Sequence, residues 1–283
     1  MIEITIHKAL HGGEGEMELS LNLTIKEGEF LALYGKSGSG KTTLLRILAG
    51  LEASESKIIV DGEVWQDSKK MLPPQKRQIG FVFQDYALFE NMNILENLLY
   101  VHNDKKLALK LLELTELTNL QKRYPKGLSG GQKQRVSICR AMMKKPKLLL
   151  LDEPLSALDL EMRQKLQNEL LKIHNEFQTT TIMVSHDPSE IYRLASRVIH
   201  IENGQLLQDT TPHQLLLKTN GSQKFSFEGE ILELRVIGVV VVAVVAIAQQ
   251  IVEIVLSKEE AKGLKQGDLI NASTKAFLVA LKH

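Results

Sequence analysis

The chemistry in this sequence starts at Gly35-Lys36-Ser37-Gly38-Ser39-Gly40-Lys41-Thr42-Thr43. Its first eight residues fit the pattern G-x-x-x-x-G-K-[ST]. Glycines at those positions let backbone N–H groups wrap phosphate oxygens. Lys41 would reach the β- and γ-phosphates, and Thr42 would offer its hydroxyl to Mg²⁺. The stretch follows the apolar run Phe30–Tyr34 and precedes a helical pattern from Lys41 to Ala49, which is the strand–loop–helix context the motif requires.

A second phosphate-type pattern lies at Ser129-Gly130-Gly131-Gln132. Ser129 is a natural N-cap, and Gln132 three residues later completes a capping box. Gly130 and Gly131 leave their N–H groups open to a close anion, which the helix dipole favours.

Two carboxylates follow four leucines: Asp152 and Glu153. A carboxylate at the C-terminal end of a buried parallel strand points into the ligand crevice. There Asp152 can hold Mg²⁺, directly or through water, and Glu153 can orient and polarise an attacking water. Gln84 ends the apolar run Phe81-Val82-Phe83, where its amide can meet the metal or the water. His186 follows the strand pattern Thr180–Val184.

The bulk composition sets limits. The chain has 283 residues, room for one large domain and a small one. Its 35 basic and 34 acidic residues leave a net charge of +1, which gives no reason to expect nucleic-acid binding. The single cysteine, Cys139, cannot staple the fold and reads as a small apolar residue facing a helix interior. The N-terminus lacks the basic-then-apolar order of a signal peptide. The longest apolar run, Val236–Ala248, falls short of the roughly 20 residues a spanning helix needs. Its valines suggest buried β-structure.

Strands alternate with helices through most of the chain, which predicts an α/β core with a parallel sheet. Met17, Leu19, Leu21, Leu23 and Ile25 have strand spacing. Asp61-Gly62 and Asn203-Gly204 are hairpin turns. From about Asp85 to Lys145 the pattern turns helical, with spans at Leu95–Tyr100, Leu107–Leu117 and after Ser129. Further helices are predicted at Glu161–Phe177, Pro188–Ala195 and just after Thr211. Residues 219–226 read as a linker, and 227–283 as a mostly β domain. That domain holds one helix start at Ser257–Glu260, closed by Gly263, and a turn at Lys265–Asp268.

Five elements stand in order: GKSGSGKTT, FVFQD, LSGGQ, LLLLDEP with SALD, and SHD. Over about residues 1–215 this closely resembles the ATP-binding subunit of ABC transporters. The resemblance implies a P-loop NTPase fold: a RecA-like core sheet, an antiparallel β subdomain and an inserted helical subdomain at about 85–145. It implies that Gly35–Thr43 bind the triphosphate of ATP and that Thr42, Gln84 and Asp152 meet Mg²⁺. Glu153 would be the catalytic base, Gln84 the Q-loop glutamine, His186 the switch histidine, and Asp159 part of the D-loop. Two subunits would pair head to tail, so that Ser129, Gly130, Gly131 and Gln132 of one close over the ATP of the other. That accounts for two phosphate patterns in one chain. The homodimer would sit at the cytoplasmic face of the cell membrane, against a permease whose coupling helix meets residues 85–100. A periplasmic or extracellular solute-binding protein would act indirectly.

In one respect the chain departs from this family. The family usually stacks an early aromatic on adenine, and here no Phe, Trp or Tyr precedes Phe30. Met17, Leu19 or His11 is left to lie against the base. The stretch PPQKRQIGFVFQDYALFENMNILEN resembles importers of molybdate, sulfate, ferric iron, polyamines and maltose. The tail resembles a TOBE domain of the molybdate-binding-protein type. Together they imply uptake of molybdate or tungstate, with sulfate, polyamine or ferric iron as the alternative. An oxyanion at the tail is a further candidate ligand, with N–H groups near Ser257 and Lys275 as donors. Non-transport ABC ATPases usually carry two cassettes or a long coiled coil, and neither pattern occurs here.

Overall fold

Ile2, Ile4 and Ile6 are buried while Glu3 and His7 face out, the pattern of a strand with one covered face. This strand, β1 (Ile2–Gly12), pairs antiparallel with β2 (Gly15–Ile25), placing Leu10 opposite Met17. Leu19, Leu21, Leu23 and Ile25 are buried on the same side. The computed structural model describes residues 1–12, 15–156, 158–216, 224–247 and 250–275. They divide into two units, Met1–Leu217 and Lys218–His283.

In the first unit β3 (Phe30–Tyr34) starts a parallel block. The block adds β6 (Ile79–Val82), β7 (Leu148–Asp152), β8 (Thr180–Val184) and β9 (Arg197–Glu202). Its strands are almost continuously apolar because helices cover both faces. On the other side β4 (Glu55–Val60) joins β1, and β5 (Glu63–Gln66) folds back on β4. Asp61 and Gly62 between them both have positive φ, 49° and 78°, which suits the twist of a hairpin. Strand β10 (Gln205–Thr210) pairs with β9 and meets β2. One ten-stranded sheet results, ordered β5-β4-β1-β2-β10-β9-β3-β8-β7-β6.

Helix α1 (Lys41–Leu48) follows β3. Between β6 and β7 come α2 (Ile94–Val101), α3 (Lys105–Leu114) and α4 (Gly130–Met142). Helices α5 (Leu160–Phe177), α6 (Pro188–Leu194) and α7 (Pro212–Leu216) complete the unit. This is the core-sheet architecture the resemblance implied, with its antiparallel and helical additions. Helix α3 ends before Leu117, where the pattern had carried it. Glu116 takes a φ of 55°, and Leu117 N–H turns back to the Leu112 carbonyl at 2.7 Å. Leu117 is still buried, so the apolar periodicity outruns the helix.

One buried cation secures α1. Arg77 donates to the carbonyls of Ile47 and Leu48 at the helix end (2.8 and 2.7 Å), to Leu72 O (2.9 Å) and to Gln66 Oε1 (2.9 Å). These bonds satisfy carbonyls that the helix terminus leaves open. Burial pulls the Arg77 guanidinium down to about 10, so it stays charged at neutral pH.

In the second unit β11 (Lys224–Ile237), β12 (Val240–Ile247), β13 (Gln250–Ser257) and β14 (Leu269–Lys275) form a sheet ordered β13-β12-β11-β14. β11 begins inside the stretch expected as linker. The run Val236–Ala248, expected as buried β-structure, spans the end of β11, a turn and β12. It turns at Gly238, whose φ is 60°, and Ala248 lies outside the described residues. Val241, Ala243 and Val245 are buried, whereas Val236, Ile237 and Val239 are exposed, because a hairpin end has no second layer over it.

The helix expected after Ser257 does not form. Residues 258–263 make hydrogen-bonded turns, ended by Gly263 at φ 92°. The capping box itself is present, but too few residues separate cap from stop to propagate a helix. Ser257 N–H and Oγ both bond the Glu260 carboxylate, at 2.8 and 2.7 Å. That carboxylate occupies the Ser257 N–H, one of the donors expected near an oxyanion.

Candidate nucleotide-binding site

The site lies at the C-terminal ends of the parallel strands, where side chains leave the sheet into one crevice. The loop after β3 is tight from its first residue. Gly35 has φ 145°, and a Cβ there would overlap the Ile201 carbonyl on β9, so only glycine fits. The Lys41 side chain folds back over the loop. Its ammonium donates to Gly35 O at 2.7 Å, Lys36 O at 2.6 Å and Ser39 Oγ at 3.2 Å. Burial pulls the Lys41 pKa down, and the Glu153 and Asp152 carboxylates draw it partly back up. Among the described residues no carboxylate stands within ion-pair distance of this ammonium. A buried cation facing neutral oxygens suits an anionic ligand.

Thr42 and Asp152 meet across the crevice, Oγ1 to Oδ1 at 3.0 Å. Burial pushes the Asp152 carboxyl up, and the Thr42 hydroxyl bond moderates the shift. Strands β7 and β8 are in register with Asp152 opposite Val184. Glu153 N–H donates to Val184 O at 3.2 Å, and Glu153 takes a φ of 46°, a costly conformation for a non-glycine residue. This turn aims two consecutive side chains from one strand end. His186, two residues beyond β8, has its Nδ1 3.7 Å from Glu153 Oε1 and is mostly exposed. On the far side Val82 of β6 pairs with Leu151, so Gln84 leaves the sheet at the same edge, exposed.

An open cavity of about 540 Å³ runs from this edge along the loop. Ser37, Gly38, Gly40, Lys41, Thr42, Thr43 and Glu153 line one end. Lys8, Ala9, Leu10, Met17 and Glu52 line the other, from β1, β2 and the segment after α1. Of the three candidates for the base, Met17 lines the cavity and Leu19 is buried against Gly40. His11's side chain lies outside the described residues. Sequence reasoning missed Leu10, which only the hairpin register sets beside Met17.

The second phosphate pattern stands apart from this cavity. Ser129 caps α4 through both bonds of the capping box: Gln132 N–H to Ser129 Oγ at 3.3 Å, and Ser129 N–H to Gln132 Oε1 at 3.0 Å. None of Ser129, Gly130, Gly131 and Gln132 lines the cavity. Asp159 caps α5 by accepting Met162 N–H at 2.9 Å. The Gly130–Gly131 turn and α5 touch, because a Cβ on Gly131 would lie 2.9 Å from Met162 Sδ. Deeper in, Arg135 of α4 lies 3.4 Å from Glu169 of α5.

The sequence matches a family profile described as ABC transporter over residues 19–156. It is 42% identical over 223 residues to the sulfate/thiosulfate import ATP-binding protein CysA of Brucella melitensis, covering 75% of this chain and 61% of that protein. It is 42% identical over 224 residues to the CysA protein of Bacillus cereus ATCC 10987, with 75% and 62% covered. The chain thus spans about three-fifths of the length of these relatives. Among solved structures it is similar to the dimeric structure of MJ0796, a bacterial ABC transporter cassette, at 32% identity and a TM-score of 0.64. That match covers 75% of this chain and 99% of the cassette. A post-hydrolysis state of the same cassette, bound to ADP and Pi, matches at 31% identity and the same TM-score, 0.64.

Proposed function

The chain belongs to the ABC transporter family of ATP-binding cassettes, and from that premise we propose that it hydrolyses ATP to drive solute import through a separate membrane permease. The observation that carries this reading is the Thr42–Asp152 hydrogen bond beside Glu153 and the buried Lys41 ammonium. A hydroxyl and a carboxylate at bonding distance are hard oxygen donors, and such a pair fits Mg²⁺ bound together with phosphate oxygens. Thr42, Asp152 and Gln84 would hold the metal, which would neutralise charge on the β- and γ-phosphates.

The protein's own groups do the rest. Loop N–H groups from Gly35 to Thr43 cradle the phosphates, and Lys41 exchanges loop carbonyls for phosphate oxygens. Glu153 accepts a hydrogen bond from the attacking water and aims it. His186 borders Glu153 and contacts the γ-phosphate. Ser129–Gln132 and Asp159 lie outside the cavity in one chain, which supports a head-to-tail homodimer where they complete the partner's site. Among the described residues no helix is long and apolar enough to cross a membrane. The resemblance to importer cassettes supports a permease as a separate subunit, with this chain at its cytoplasmic face.

The substrate reading shifts with the comparisons. Molybdate or tungstate rested on the stretch PPQKRQIGFVFQDYALFENMNILEN and on the residue order of 227–283. The relatives are named for sulfate and thiosulfate, and they favour the sulfate alternative. We therefore read the cargo as sulfate or thiosulfate.

The test is steady-state hydrolysis by the full chain with MgATP. Glu153→Gln is expected to yield an ATP-stabilised dimer with almost no turnover. A mutant that hydrolyses like wild type would remove Glu153 from the role of base. Uptake of labelled sulfate against labelled molybdate, with the permease present, decides the cargo.

A further inference from the structure

The loop after Gln84 has an uncommon backbone. Tyr86 and Ala87 are consecutive non-glycine residues with positive φ, 61° and 47°. Each such residue costs on the order of 1 kcal/mol or more and persists only where its surroundings hold it. The surroundings here are α4. Arg140 Nη1 donates to Ala87 O at 2.5 Å, and Nη2 to Tyr86 O at 3.3 Å. The same guanidinium lies 5.6 Å from the Phe89 ring centroid.

The Tyr86 side chain reaches the opposite end of that helix. A Cβ added to Gly130 would lie 3.2 Å from the Tyr86 hydroxyl. Gly130 and Arg140 are about 15 Å apart along the axis at 1.5 Å per residue. The loop therefore grips α4 at its last turn through backbone carbonyls and at its first through the tyrosine. On the other side of the Gly130–Gly131 turn stands Met162 Sδ, close enough that Gly131 has no room for a side chain. The turn is held between Tyr86 and α5.

We propose that Tyr86 is a positioning residue. Its hydroxyl bounds the Gly130–Gly131 turn on the Gly130 side while Met162 bounds it at Gly131, which sets the turn's N–H groups for the γ-phosphate bound by a second copy. The inference rests on the ATPase reading above. It makes the conformation of residues 84–87 a condition for closing the partner's site, with no direct contact between Tyr86 and the nucleotide of its own chain.

The test uses the full chain carrying Tyr86→Ala or Tyr86→Phe. Three quantities are read: kcat and KM for MgATP, binding of a fluorescent ATP analogue by the monomer, and ATP-driven dimerisation in the Glu153→Gln background. Y86A is expected to lower kcat about tenfold or more and to lose the dimer, since misplacement by about an ångström costs that much. Its monomer should bind nucleotide like wild type, and Y86F, which removes only the hydroxyl facing Gly130, should show part of the same loss. Y86A that turns over and dimerises like an active wild type overturns the proposal alone. A wild type without ATPase activity overturns both readings.

If Y86A fails to fold, Gly130→Ala supplies the second route. Its methyl group would crowd the Tyr86 hydroxyl, so adding Y86F should recover dimerisation lost by G130A. A G130A defect that Y86F leaves unchanged overturns the proposal.

Discussion

Thr42 Oγ1 donates to Asp152 Oδ1 at 3.0 Å, joining the first turn of the P-loop helix to the end of β7. Asp152 is a half-buried acid whose carboxyl is pushed up by desolvation, so its charge carries a cost in the free protein. Asp152→Asn should therefore leave the melting temperature without nucleotide unchanged or raised. The same change removes one of the proposed metal ligands. For wild type, MgATP at about a hundred times Kd adds about 2.7 kcal/mol of stability. In D152N and Thr42→Val that gain should fall to the level seen with ATP plus EDTA, while Thr42→Ser keeps it. Thermal melts under the three ligand conditions check this. A full MgATP gain in D152N would take the metal away from Asp152.

Arg77 should be among the most sensitive positions outside the site. It donates to three backbone carbonyls and to Gln66 Oε1, all within the packed base of α1. Arg77→Met leaves those acceptors buried and unpaired, at about 1–3 kcal/mol each. The expected loss is about 3 kcal/mol or more, read from the urea midpoint. Arg77→Lys should recover little, because an ammonium cannot reproduce the planar fork. An R77M midpoint close to wild type would mean that water reaches those carbonyls.

The reach of the sequence is set by the range of the interactions. Local signals were legible: the Ser129–Gln132 capping box, the Asp61-Gly62 and Asn203-Gly204 turns, the buried strand Leu148–Asp152. Each is decided within a few residues of chain. Cys139 was legible as a core residue, and burial pushes its thiol up to about 12, which keeps it unreactive. Arg77 was not legible, since its partners lie five to thirty residues away and no short pattern links them. Leu10 entered the cavity through hairpin register, and Tyr86 meets Gly130 only in three dimensions. The Ser257 helix failed for the converse reason: a correct local start signal met a glycine stop before it could propagate.

Leu10 and Met17 should form the floor for the nucleotide base. They are cross-strand partners, and both line the cavity beside the phosphate loop. A thioether makes favourable contacts with an aromatic ring of about 0.3–1.5 kcal/mol. Met17→Ala should weaken ATP binding up to about tenfold, the same energy expressed as affinity. Met17→Trp should tighten it by offering a stacking surface. Lys8 and Glu52 at the rim supply one donor and one acceptor, 3.5 Å apart, which match neither purine alone. GTP is therefore expected to bind within about tenfold of ATP. Calorimetric titration with both nucleotides measures all three effects. Unchanged affinity in M17A would place the base elsewhere.

Glu169 should give stability a pH dependence of its own. Its carboxylate is buried between α4 and α5, and burial pushes its pKa up to about 7. Arg135 is the nearest cation, but neither carboxylate oxygen receives a hydrogen bond, so desolvation outweighs attraction. Lys165 and Lys172 on α5 also favour the charged form, whereas Glu116 opposes it. Nearby Cys139 stays neutral. The acid is thus more protonated folded than unfolded between the usual carboxylate range and about 7. In that window the folded state binds the extra proton, so stability falls as pH rises and levels off above the folded pKa. His174 works the other way, because burial lowers its pKa and favours the folded state at higher pH. The Glu169 contribution is therefore the difference between wild type and Glu169→Gln. Urea unfolding from about pH 5 to pH 8 should show wild type losing stability relative to E169Q as the pH rises. Parallel pH profiles for the two proteins would mean that the Glu169 carboxylate stays ionised through that range, held by Arg135.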